Sequence, residues 1–522
     1  MTAVYTQFLA NQYRDSVALM QLSAKLAKLP GILEASAQMA TRANLELIKS
    51  AGLIEDLPEP RPNDILLVLR GDAAATQAAA VNAAELLNEK AGSGAGEAGV
   101  EPPRSVQMAF EAGNGRANLV LISTPGDYAA AEAMKALRLG MNVMLFSDNV
   151  SVKDEIALKR YAQPRKLLVM GPDCGTAIVD GIPLAFANVV KRGSIGVIGA
   201  SGTGTQQVTC LIDQYGGGIT HAIGTGGHDL SEAVGGITML SALEQLAADS
   251  ATRVIVLISK PPAASVAEKV LAAAHACGKP VVVCFLGAAA GSIRAAGLTP
   301  AATLEEAARL AVAIATDQPA SQASSHDTAA LRNRAIELSA RLLPGQTMLR
   351  GLYTGGTFCY EALLLLQDTL PGLQSNTPTG KVTRVSDLWQ SAGNTILDLG
   401  DDDFTRGRPH PMIDPGLRNE RLQSEAADAS VAIILLDFVL GYGAHEDPGG
   451  QIVPSITAAR EVAAKGGRSV LFVGHVCGTD GDPQGLARQR QILTAAGVEL
   501  AGSNAEAVAL CRAILETLGS AG

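Results

Sequence analysis

Aromatic and basic side chains are both scarce in this chain of 522 residues. Aromatic residues make up 3% of the sequence, too few to form the stacking platforms that single-stranded nucleic acid needs. The formal net charge is −10 and no basic stripe stands out, which disfavours nucleic acid and anionic membranes as partners. The composition therefore leaves small molecules and other proteins as the partners to expect.

Paired cysteines, long apolar segments and metal-ligand spacings are also missing. The seven cysteines are an odd, scattered set without C-x-x-C spacing, as is typical of reduced thiols. The N-terminus lacks a signal-peptide pattern, and the apolar run "VAIILLDFVL" (431–440) is far shorter than the ~18 residues of a membrane span. It contains Asp437, so we expect a buried strand there. We predict a cytoplasmic protein without a structural metal.

Two segments rich in small residues predict linkers. They are "AGSGAGEAGVEPPR" (91–104) and "TDQPASQASSHDT" (316–328). Before the first linker, strand-like and helix-like patterns alternate over residues 1–90, which predicts a small α+β unit of the ferredoxin-like kind.

The rest of the chain predicts an α/β fold. Between residues 105 and 315, continuous Val/Ile/Leu strands alternate with helical patterns, as in parallel sheets covered on both faces. A break near residue 192 divides this stretch into 105–192 and 193–315. Residues 329–522 repeat the same pattern, so we interpret 193–315 and 329–522 as two related doubly wound domains.

Glycine-rich turns follow several predicted strands. In "GASGTGT" (199–205), glycines leave backbone N–H groups uncovered at a helix N-terminus, and three hydroxyls lie beside them, which suits a phosphate or carboxylate. Similar turns occur at 224–229, 354–357, 440–450 and 477–483. The predicted anion-binding residues are Ser201, Gly202, Thr203, Gly204, Thr205, Gly226, Gly227, Gly355, Gly356, Thr357, Gly441, Gly443, Gly478 and Thr479.

Two familiar nucleotide motifs fail at the first of these loops. A Walker A loop starting at Gly199 would need lysine where Thr205 stands. A dinucleotide fingerprint starting at Gly202 lacks its third glycine. One alternative remains open, namely that the glycines only turn the chain tightly between strand and helix. The recurrence of such loops in two domains favours a ligand site.

Two loop histidines are candidates for acid–base chemistry. His228 and His445 are flanked by glycine-rich turns. A histidine in such a loop faces a ligand site more often than a core histidine does. The alternative for each is a capping role in its loop. We expect His475, at a strand end, to be buried, and Cys174 to be a small buried thiol.

The order of these motifs resembles the α subunit of succinyl-CoA synthetases. The similar stretches are "GPDCG" (171–175), "GVIGASGTGTQQV" (196–208) and "THAIGTGGHD" (220–229). The last domain resembles the carboxy-terminal domain of the β subunit through "YTGGT", "LDLGDDD", "FVLGYGAH" and "VCGTDGDP". The whole chain, with fused α-like and β-like halves and an extra amino-terminal unit, looks like the FdrA proteins.

This resemblance implies a fold and a site. It implies a CoA-binding Rossmann-like domain at 105–192, and flavodoxin-like domains at 193–315 and 329–522. The loops at 201–205 and 441–445 would face each other across a pseudo-two-fold axis and hold phosphate. A CoA-like pocket would contain Ser123, Thr124, Pro125, Gly171, Pro172 and Cys174.

The chain also departs from the synthetases. The stretch "FLGAAAGSIRAAG" (285–297) lacks their phosphorylated histidine, and neither the ATP-grasp domain nor a clear glycine-rich CoA loop is present. The resemblance to FdrA proteins implies a subunit of an oxamate carbamoyltransferase assembly in allantoin catabolism. It also implies partner subunits and a homo-oligomer. Its ligands would be small anions such as phosphate or carbamoyl phosphate, with CoA as a further candidate. The alternatives are a true acyl-CoA synthetase and a CoA- or nucleotide-binding regulatory module.

Overall fold

The computed structural model describes residues 2–10, 12, 14, 16–41, 44–45, 64–88, 102–318, 328–406 and 408–520. Most of the two predicted linkers therefore lies outside the described residues. In the described part, no helix is both long and apolar enough to span a membrane.

The amino-terminal unit is a three-stranded antiparallel sheet, in the order β1-β3-β2, with two helices. Alternate residues of β3 face the helices, so Ile65, Leu67 and Leu69 are buried with them. Between β2 and β3 the described residues 44–45 are helical, and residues 42–43 and 46–63 lie outside the described part, so the ferredoxin-like prediction stays a prediction. Its elements are β1 (Thr2–Leu9), α1 (Ser16–Ala27), β2 (Ile32–Met39), β3 (Ile65–Asp72) and α2 (Ala73–Asn88).

The next unit is a small parallel sheet, which we count as the first of the three sheets that follow the amino-terminal unit. Its strand order is β4-β5-β6, and helices begin at its strand ends. Its elements are α3 (Val106–Ala112), β4 (Leu119–Ile122), α4 (Gly126–Arg138), β5 (Asn142–Leu145), α5 (Val152–Ala162) and β6 (Val169–Met170).

The described residues form a second sheet of seven strands, in the order β13-β12-β11-β9-β10-β7-β8. Strands β9 to β13 are parallel, and counted from β9 their order is 2-1-3-4-5, the flavodoxin-like order. The hairpin β7-β8 pairs antiparallel with β10, although it precedes the predicted boundary at residue 192. The strands are β7 (Thr176–Val179), β8 (Ile182–Ala185), β9 (Arg192–Gly199), β10 (Ile219–Gly224), β11 (Val254–Ser259), β12 (Val281–Phe285) and β13 (Thr299–Pro300). The helices are α6 (Gly202–Gln214), α7 (Ile237–Ala248), α8 (Ala264–Ala276), α9 (Ala290–Ala295) and α10 (Leu304–Ala315).

The third sheet is parallel throughout its described strands, in the order β16-β15-β17-β14-β18-β19-β20. From β14 onward it repeats the flavodoxin-like order, with two short strands added at the β17 edge. The strands are β14 (Met348–Tyr353), β15 (Gln374–Ser375), β16 (Thr383–Arg384), β17 (Thr395–Asp398), β18 (Val431–Val439), β19 (Leu471–Cys477) and β20 (Val498–Ala501). The helices are α11 (Thr328–Ser339), α12 (Gly356–Leu366), α13 (Asp402–Thr405), α14 (Gly416–Ala427), α15 (Pro448–Lys465), α16 (Leu486–Ala495) and α17 (Asn504–Ser520).

The predicted α/β fold class with parallel sheets is confirmed. The apolar run at 431–440 forms β18, which is buried along its whole length, as expected. One hydrophobic cluster contains side chains from both flavodoxin-like units, for example Leu211 on α6 and Leu363 on α12. The two units therefore pack directly against each other.

His475 on β19 is fully buried, as expected, and neither ring nitrogen has a hydrogen-bond partner among the described residues. The ring packs edge-on against Phe358, with 4.8 Å between ring centres. Burial lowers its pKa to about 3, so the imidazole is neutral at pH 7.

We expect His475→Leu to raise the free energy of unfolding by about 1–2 kcal/mol, because it removes buried unpaired polar atoms at similar volume. The unfolded chain protonates this histidine near pH 6.5 and the folded chain does not. Wild-type stability therefore falls as the pH drops below about 6.5, and the variant should lack that part of the loss. Urea unfolding at pH 5 and pH 8 measures both effects. A less stable variant at both pH values would contradict the prediction.

Candidate functional site

The helix α6 begins at the first predicted anion loop. Ser201 is its N-cap, and the Ser201 Oγ accepts a hydrogen bond from the Gly204 N–H at 2.9 Å. The Thr205 hydroxyl donates to the Ser201 carbonyl at 2.6 Å. Because these groups serve the helix itself, the amides of Gly202 and Thr203 are the candidate donors of the first turn.

The N-terminus of α12 meets this first turn from the other flavodoxin-like unit. The Ser201 Oγ lies 2.5 Å from the Thr357 Oγ1, and either hydroxyl can donate. A Cβ atom added at Gly204 would lie 3.2 Å from the Thr357 Cγ2, and one added at Gly355 would lie 3.1 Å from the Thr203 Cγ2. Each helix N-terminus carries about half a positive charge, so two such charges converge here. We call this meeting point, defined by Ser201–Gly204 and Gly355–Thr357, the α6–α12 junction.

A buried carboxylate already binds part of the predicted loop at 354–357. Asp437 on β18 accepts the Thr354 N–H at 2.7 Å, the Thr354 hydroxyl at 2.9 Å and the Gly355 N–H at 2.8 Å. Arg418 donates to the Asp437 carbonyl at 2.6 Å and lies 3.4 Å from its Oδ1. The Gly355 amide is therefore engaged within the protein, whereas the sequence predicted that it would bind an external anion.

A second carboxylate and a lysine lie beside the start of α12. The Asp398 Oδ2 lies 2.5 Å from where a Cβ atom at Gly356 would be, so only glycine allows this approach. Burial raises the Asp398 pKa to about 7, and the charge of Lys260 opposes that rise. The exposed Lys260 follows β11, and its Nζ lies 5.3 Å from the ring centre of Tyr360, one turn beyond Thr357. Within the described residues, Lys260 makes no hydrogen bond or ion pair, so its charge is available to a ligand.

The resemblance implied that the loop at 441–445 faces residues 201–205, whereas the hydroxyl that contacts Ser201 comes from another loop of the same sheet. The Tyr442 N–H donates to the Ala187 carbonyl at 2.9 Å, so this loop packs against the chain that leads into β9. The hydroxyl partner of Ser201 is Thr357. Two glycine loops follow the neighbouring strands β14 and β18 of the last sheet, and sequence order alone does not tell which one supplies the contact to Ser201.

Four further anion-binding candidates lie where the last unit packs against the preceding one, namely Gly441, Gly443, Gly478 and Thr479. They contact residues 186–189 or the end of α6. A Cβ atom at Gly441 would lie 2.6 Å from the Ala187 carbonyl, and one at Gly443 would lie 2.7 Å from the Phe186 ring. The Gly478 carbonyl accepts from Gln214 at 2.8 Å, and the Thr479 hydroxyl donates to the Val189 carbonyl.

The two candidate catalytic histidines lie on loops of different sheets. The His445 Nδ1 accepts the Asp447 N–H at 3.0 Å, and burial lowers its pKa. This contact fits the capping alternative. His228 is exposed, and its Nδ1 lies 3.7 Å from the Glu155 Oε2 on α5. His228 is therefore the better placed of the two to meet a ligand.

The predicted CoA-like residues lie where the small parallel sheet meets the second sheet. Gly226 has φ +83°, and a Cβ atom there would lie 2.3 Å from the Pro172 carbonyl, so the loops at 171–175 and 224–229 are in close contact. Gly227 has open space around it. The Cys174 Sγ contacts the Thr176 carbonyl at 3.5 Å, and burial raises the thiol pKa to about 12, so Cys174 is the buried thiol expected.

The remaining pocket candidates lie at the end of β4. Pro125 precedes α4, and the Thr124 carbonyl accepts the Ser147 hydroxyl at 2.5 Å. The Thr124 hydroxyl is buried without a hydrogen-bond partner among the described residues, and Ser123 is half-buried beside it. Gly171 has φ +102° and approaches the Leu145 carbonyl. These contacts join the ends of the three neighbouring strands β4, β5 and β6 of the small sheet.

Lys260, Asp398 and Asp437 are absent from the residues predicted by sequence. A usable signal existed, because each lies at or near the carboxyl end of a strand in an apolar stretch. Asp398 and Asp437 lie at the carboxyl ends of strands in the third sheet, and Lys260 follows a strand of the second sheet. Ligands of open parallel sheets bind at such strand ends.

This chain contains two flavodoxin-like units that meet at helix N-termini. The family models place these units in the class of CoA-ligase-like proteins. The CoA-ligase model matches residues 352–514, and the CoA binding domain model matches residues 190–287. The model named AllF, heavy metal-associated domain, matches residues 1–103. The CoA-binding match falls on the second sheet, whereas the sequence resemblance assigned CoA binding to 105–192.

Individual relatives narrow the assignment. The chain is 44% identical to the uncharacterized protein YahF of Escherichia coli (strain K12) over 505 residues, 96% of each chain. It is 32% identical to the succinate–CoA ligase [ADP-forming] α subunit of Aquifex aeolicus over 151 residues, which is 28% of this chain and 48% of that subunit. PH0766 from Pyrococcus horikoshii OT3 matches in structure over 78% of this chain and 85% of its own, at 14% identity and a TM-score of 0.32. The chain belongs to the FdrA-type family of succinyl-CoA synthetase-like proteins, together with YahF.

The amino-terminal residues lack the cysteine and histidine side chains that most often bind heavy metal ions, despite the name of the matching model. The first cysteine of the chain is Cys174 and the first histidine is His221, so residues 1–103 contain neither ligand type. Within the described residues of the whole chain, no group of three or more histidine, cysteine and carboxylate side chains could hold a metal.

Proposed function

We propose that this chain is a subunit for phosphate-linked acyl or carbamoyl transfer, and that it acts with partner chains in an oxamate carbamoyltransferase assembly of allantoin catabolism. The observation that carries the proposal is the α6–α12 junction, where the Ser201 and Thr357 hydroxyls meet at 2.5 Å between two helix N-termini. The phosphate of carbamoyl phosphate would bind there.

The arrangement suits a phosphate that leaves. When the oxamate nitrogen attacks the carbamoyl carbon, the carbon–nitrogen bond of oxalurate forms and the carbon–oxygen bond to phosphate breaks. Negative charge then grows on the departing phosphate. Fixed helix dipoles and the Lys260 ammonium would stabilise that charge without having to reorganise. The proton lost by the nitrogen needs an acceptor, which the phosphate-binding groups do not provide.

The lack of a phosphohistidine supports transfer from a free phosphate compound rather than ligation driven by ATP. The stretch at 285–297 contains no histidine, and α9 lies in it after β12. CoA binding is the second candidate function, because the CoA binding domain model matches residues 190–287. An acyl-CoA ligase would be labelled by radioactive ATP, and a regulatory module would bind CoA or ATP without turnover.

The experiment is a transfer assay on the chain co-purified with its native partners. Carbamoyl phosphate and oxamate should yield oxalurate and phosphate, and the Lys260→Gln variant should lose most of this activity. Calorimetry with CoA and ATP, and labelling with radioactive ATP, run beside it. An acid-labile phosphoprotein, or tight CoA binding without carbamoyl transfer, would contradict the proposal and favour one of the two alternatives.

Anion binding at the junction should depend on pH through Asp398. Below pH 7 its carboxyl becomes neutral, so a like charge beside the start of α12 disappears. We expect sulfate, which stays a dianion, to bind roughly tenfold more tightly at pH 6 than at pH 8. Asp398→Asn should bind tightly at both pH values, whereas the exposed Asp368→Asn should behave like the wild type. Calorimetry at pH 6 and pH 8 measures the sulfate affinity of the three proteins. Equal pH dependence in all three would contradict the role of Asp398.

A further inference from the structure

A buried ion cluster ties the helix α5 to the loop that carries His228. The Lys159 ammonium is fully buried and donates to the Glu155 Oε1 at 2.7 Å, the Asp229 Oδ1 at 2.8 Å and the Thr225 carbonyl at 3.1 Å. All three donor positions of the ammonium are thus occupied. The loop at 224–229 is therefore held in a fixed position relative to α5.

The carboxylates of Asp229 and Glu155 differ in how many hydrogen bonds they accept. Asp229 also accepts the Thr238 N–H at 3.0 Å and the Met239 N–H at 2.9 Å, at the start of α7. The Glu155 Oε2 is buried and has no hydrogen-bond partner among the described residues. A buried carboxylate oxygen without a donor is costly, so a donor is needed at this point. The nearest charged partner recorded for it is the His228 Nδ1, at 3.7 Å.

His228 can supply that donor and still face outward. Its side chain is 68% exposed, while Glu155 is 1% exposed, so the pair joins a buried carboxylate to an accessible ring. Asp173, on the loop at 171–175, also lies within electrostatic reach of His228. The Thr225 N–H donates to the Gly199 carbonyl at 2.9 Å, so this loop lies next to the one that begins α6.

We propose that Glu155 is a positioning residue that, anchored by Lys159, holds His228 in the Nδ1–H tautomer and leaves the Nε2 lone pair free as a proton acceptor for a bound substrate. The inference rests on the proposed function only for the source of the proton. As the substrate nitrogen bonds to carbon and the phosphate leaves, the nitrogen's proton passes to Nε2. The imidazolium that forms is paired with Glu155 and then releases the proton to water. The exposed ring needs only a small rotation to turn the 3.7 Å separation into a hydrogen bond, and we expect that bond to form without substrate.

Glu155→Gln tests this arrangement because it reverses the tautomer. The Lys159 ammonium only donates, so the glutamine oxygen must face Lys159 and its NH₂ group must face His228. The His228 Nδ1 then accepts a hydrogen bond, and the ring carries its proton on Nε2. The free lone pair that the proposal needs would be lost without removal of the imidazole.

The measurement is a long-range ¹H–¹⁵N correlation spectrum of the full chain with ¹⁵N-labelled histidine at pH 8, without substrate. We expect the Nδ1–H form of His228 in the wild type and the Nε2–H form in Glu155→Gln. His221 is an internal control, because its Nδ1 accepts the Asp180 N–H at 3.0 Å and should show the Nε2–H form in both proteins.

The proposal is overturned if His228 shows the Nε2–H form, or a rapid average of both forms, in the wild type. An unchanged His228 signal in the variant would also overturn it. If the variant does not fold, the wild-type spectrum decides alone. Because no substrate is present, failure here is separate from failure to transfer a carbamoyl group. In the active assembly, Glu155→Gln should lower kcat at least tenfold with little change in KM.

Discussion

Replacing Asp437 by alanine should lower the free energy of unfolding by about 3–5 kcal/mol, because it leaves the buried Arg418 guanidinium without its partner carboxylate. The same change removes the acceptor of three hydrogen bonds from Thr354 and Gly355. Those bonds fix the turn between β14 and α12. The variant should therefore also bind sulfate weakly under conditions where it is still folded.

Chemical denaturation followed by circular dichroism measures the loss of stability. Asp368→Ala is the matched control, because this aspartate is exposed and, among the described residues, pairs with Lys381 at the surface. It should unfold like the wild type. The double variant Asp437→Ala with Arg418→Met should recover part of the loss, since it removes the unpaired charge as well. A single Asp437 variant as stable as the Asp368 variant would contradict this account of the turn.

Replacing Lys260 by glutamine should weaken sulfate and phosphate binding by roughly 10–100-fold, the range expected for one charge-assisted hydrogen bond. Lys260 makes no ion pair among the described residues, so the change disturbs little besides its contact with the Tyr360 ring. Raising the salt concentration should weaken binding in the wild type more than in the variant.

The control is Lys269→Gln, an exposed lysine on α8 in the same unit, which alters the net charge equally. Calorimetry at low and moderate salt compares the three proteins. Equal losses in both variants would mean that net charge alone attracts the anion. Unchanged anion affinity in Lys260→Gln would show that Lys260 does not take part in the site.

Local sequence patterns were enough to predict the α/β fold class with parallel sheets. Apolar strands such as 431–440 and the glycine turns after them each specify one local structure, and the resemblance supplied the flavodoxin-like units. The turn at 199–205 indeed begins a helix with Ser201 as its N-cap. These features depend on neighbours in the sequence, which is why a single sequence reveals them.

The composition of the candidate site could not be predicted in the same way. Whether Ser201 meets Thr357 or the loop at 441–445 depends on how two units pack. Asp437 looked like an ordinary interruption of an apolar run, yet its carboxylate binds the Gly355 amide. Lys260 was not singled out in the sequence, and its position beside α12 follows only from the packing of the two units.

The most direct test of the central claim is a crystal of the protein grown with tungstate, a heavy analogue of sulfate and phosphate, with anomalous data. The account predicts one strong peak at the α6–α12 junction, within hydrogen-bond distance of the Ser201 and Thr357 hydroxyls and in reach of the Lys260 ammonium. That peak should be much weaker in crystals of Lys260→Gln at a tungstate concentration that just saturates the wild type. A strong peak at the 441–445 loop, or none at the junction at saturating tungstate, would contradict the account.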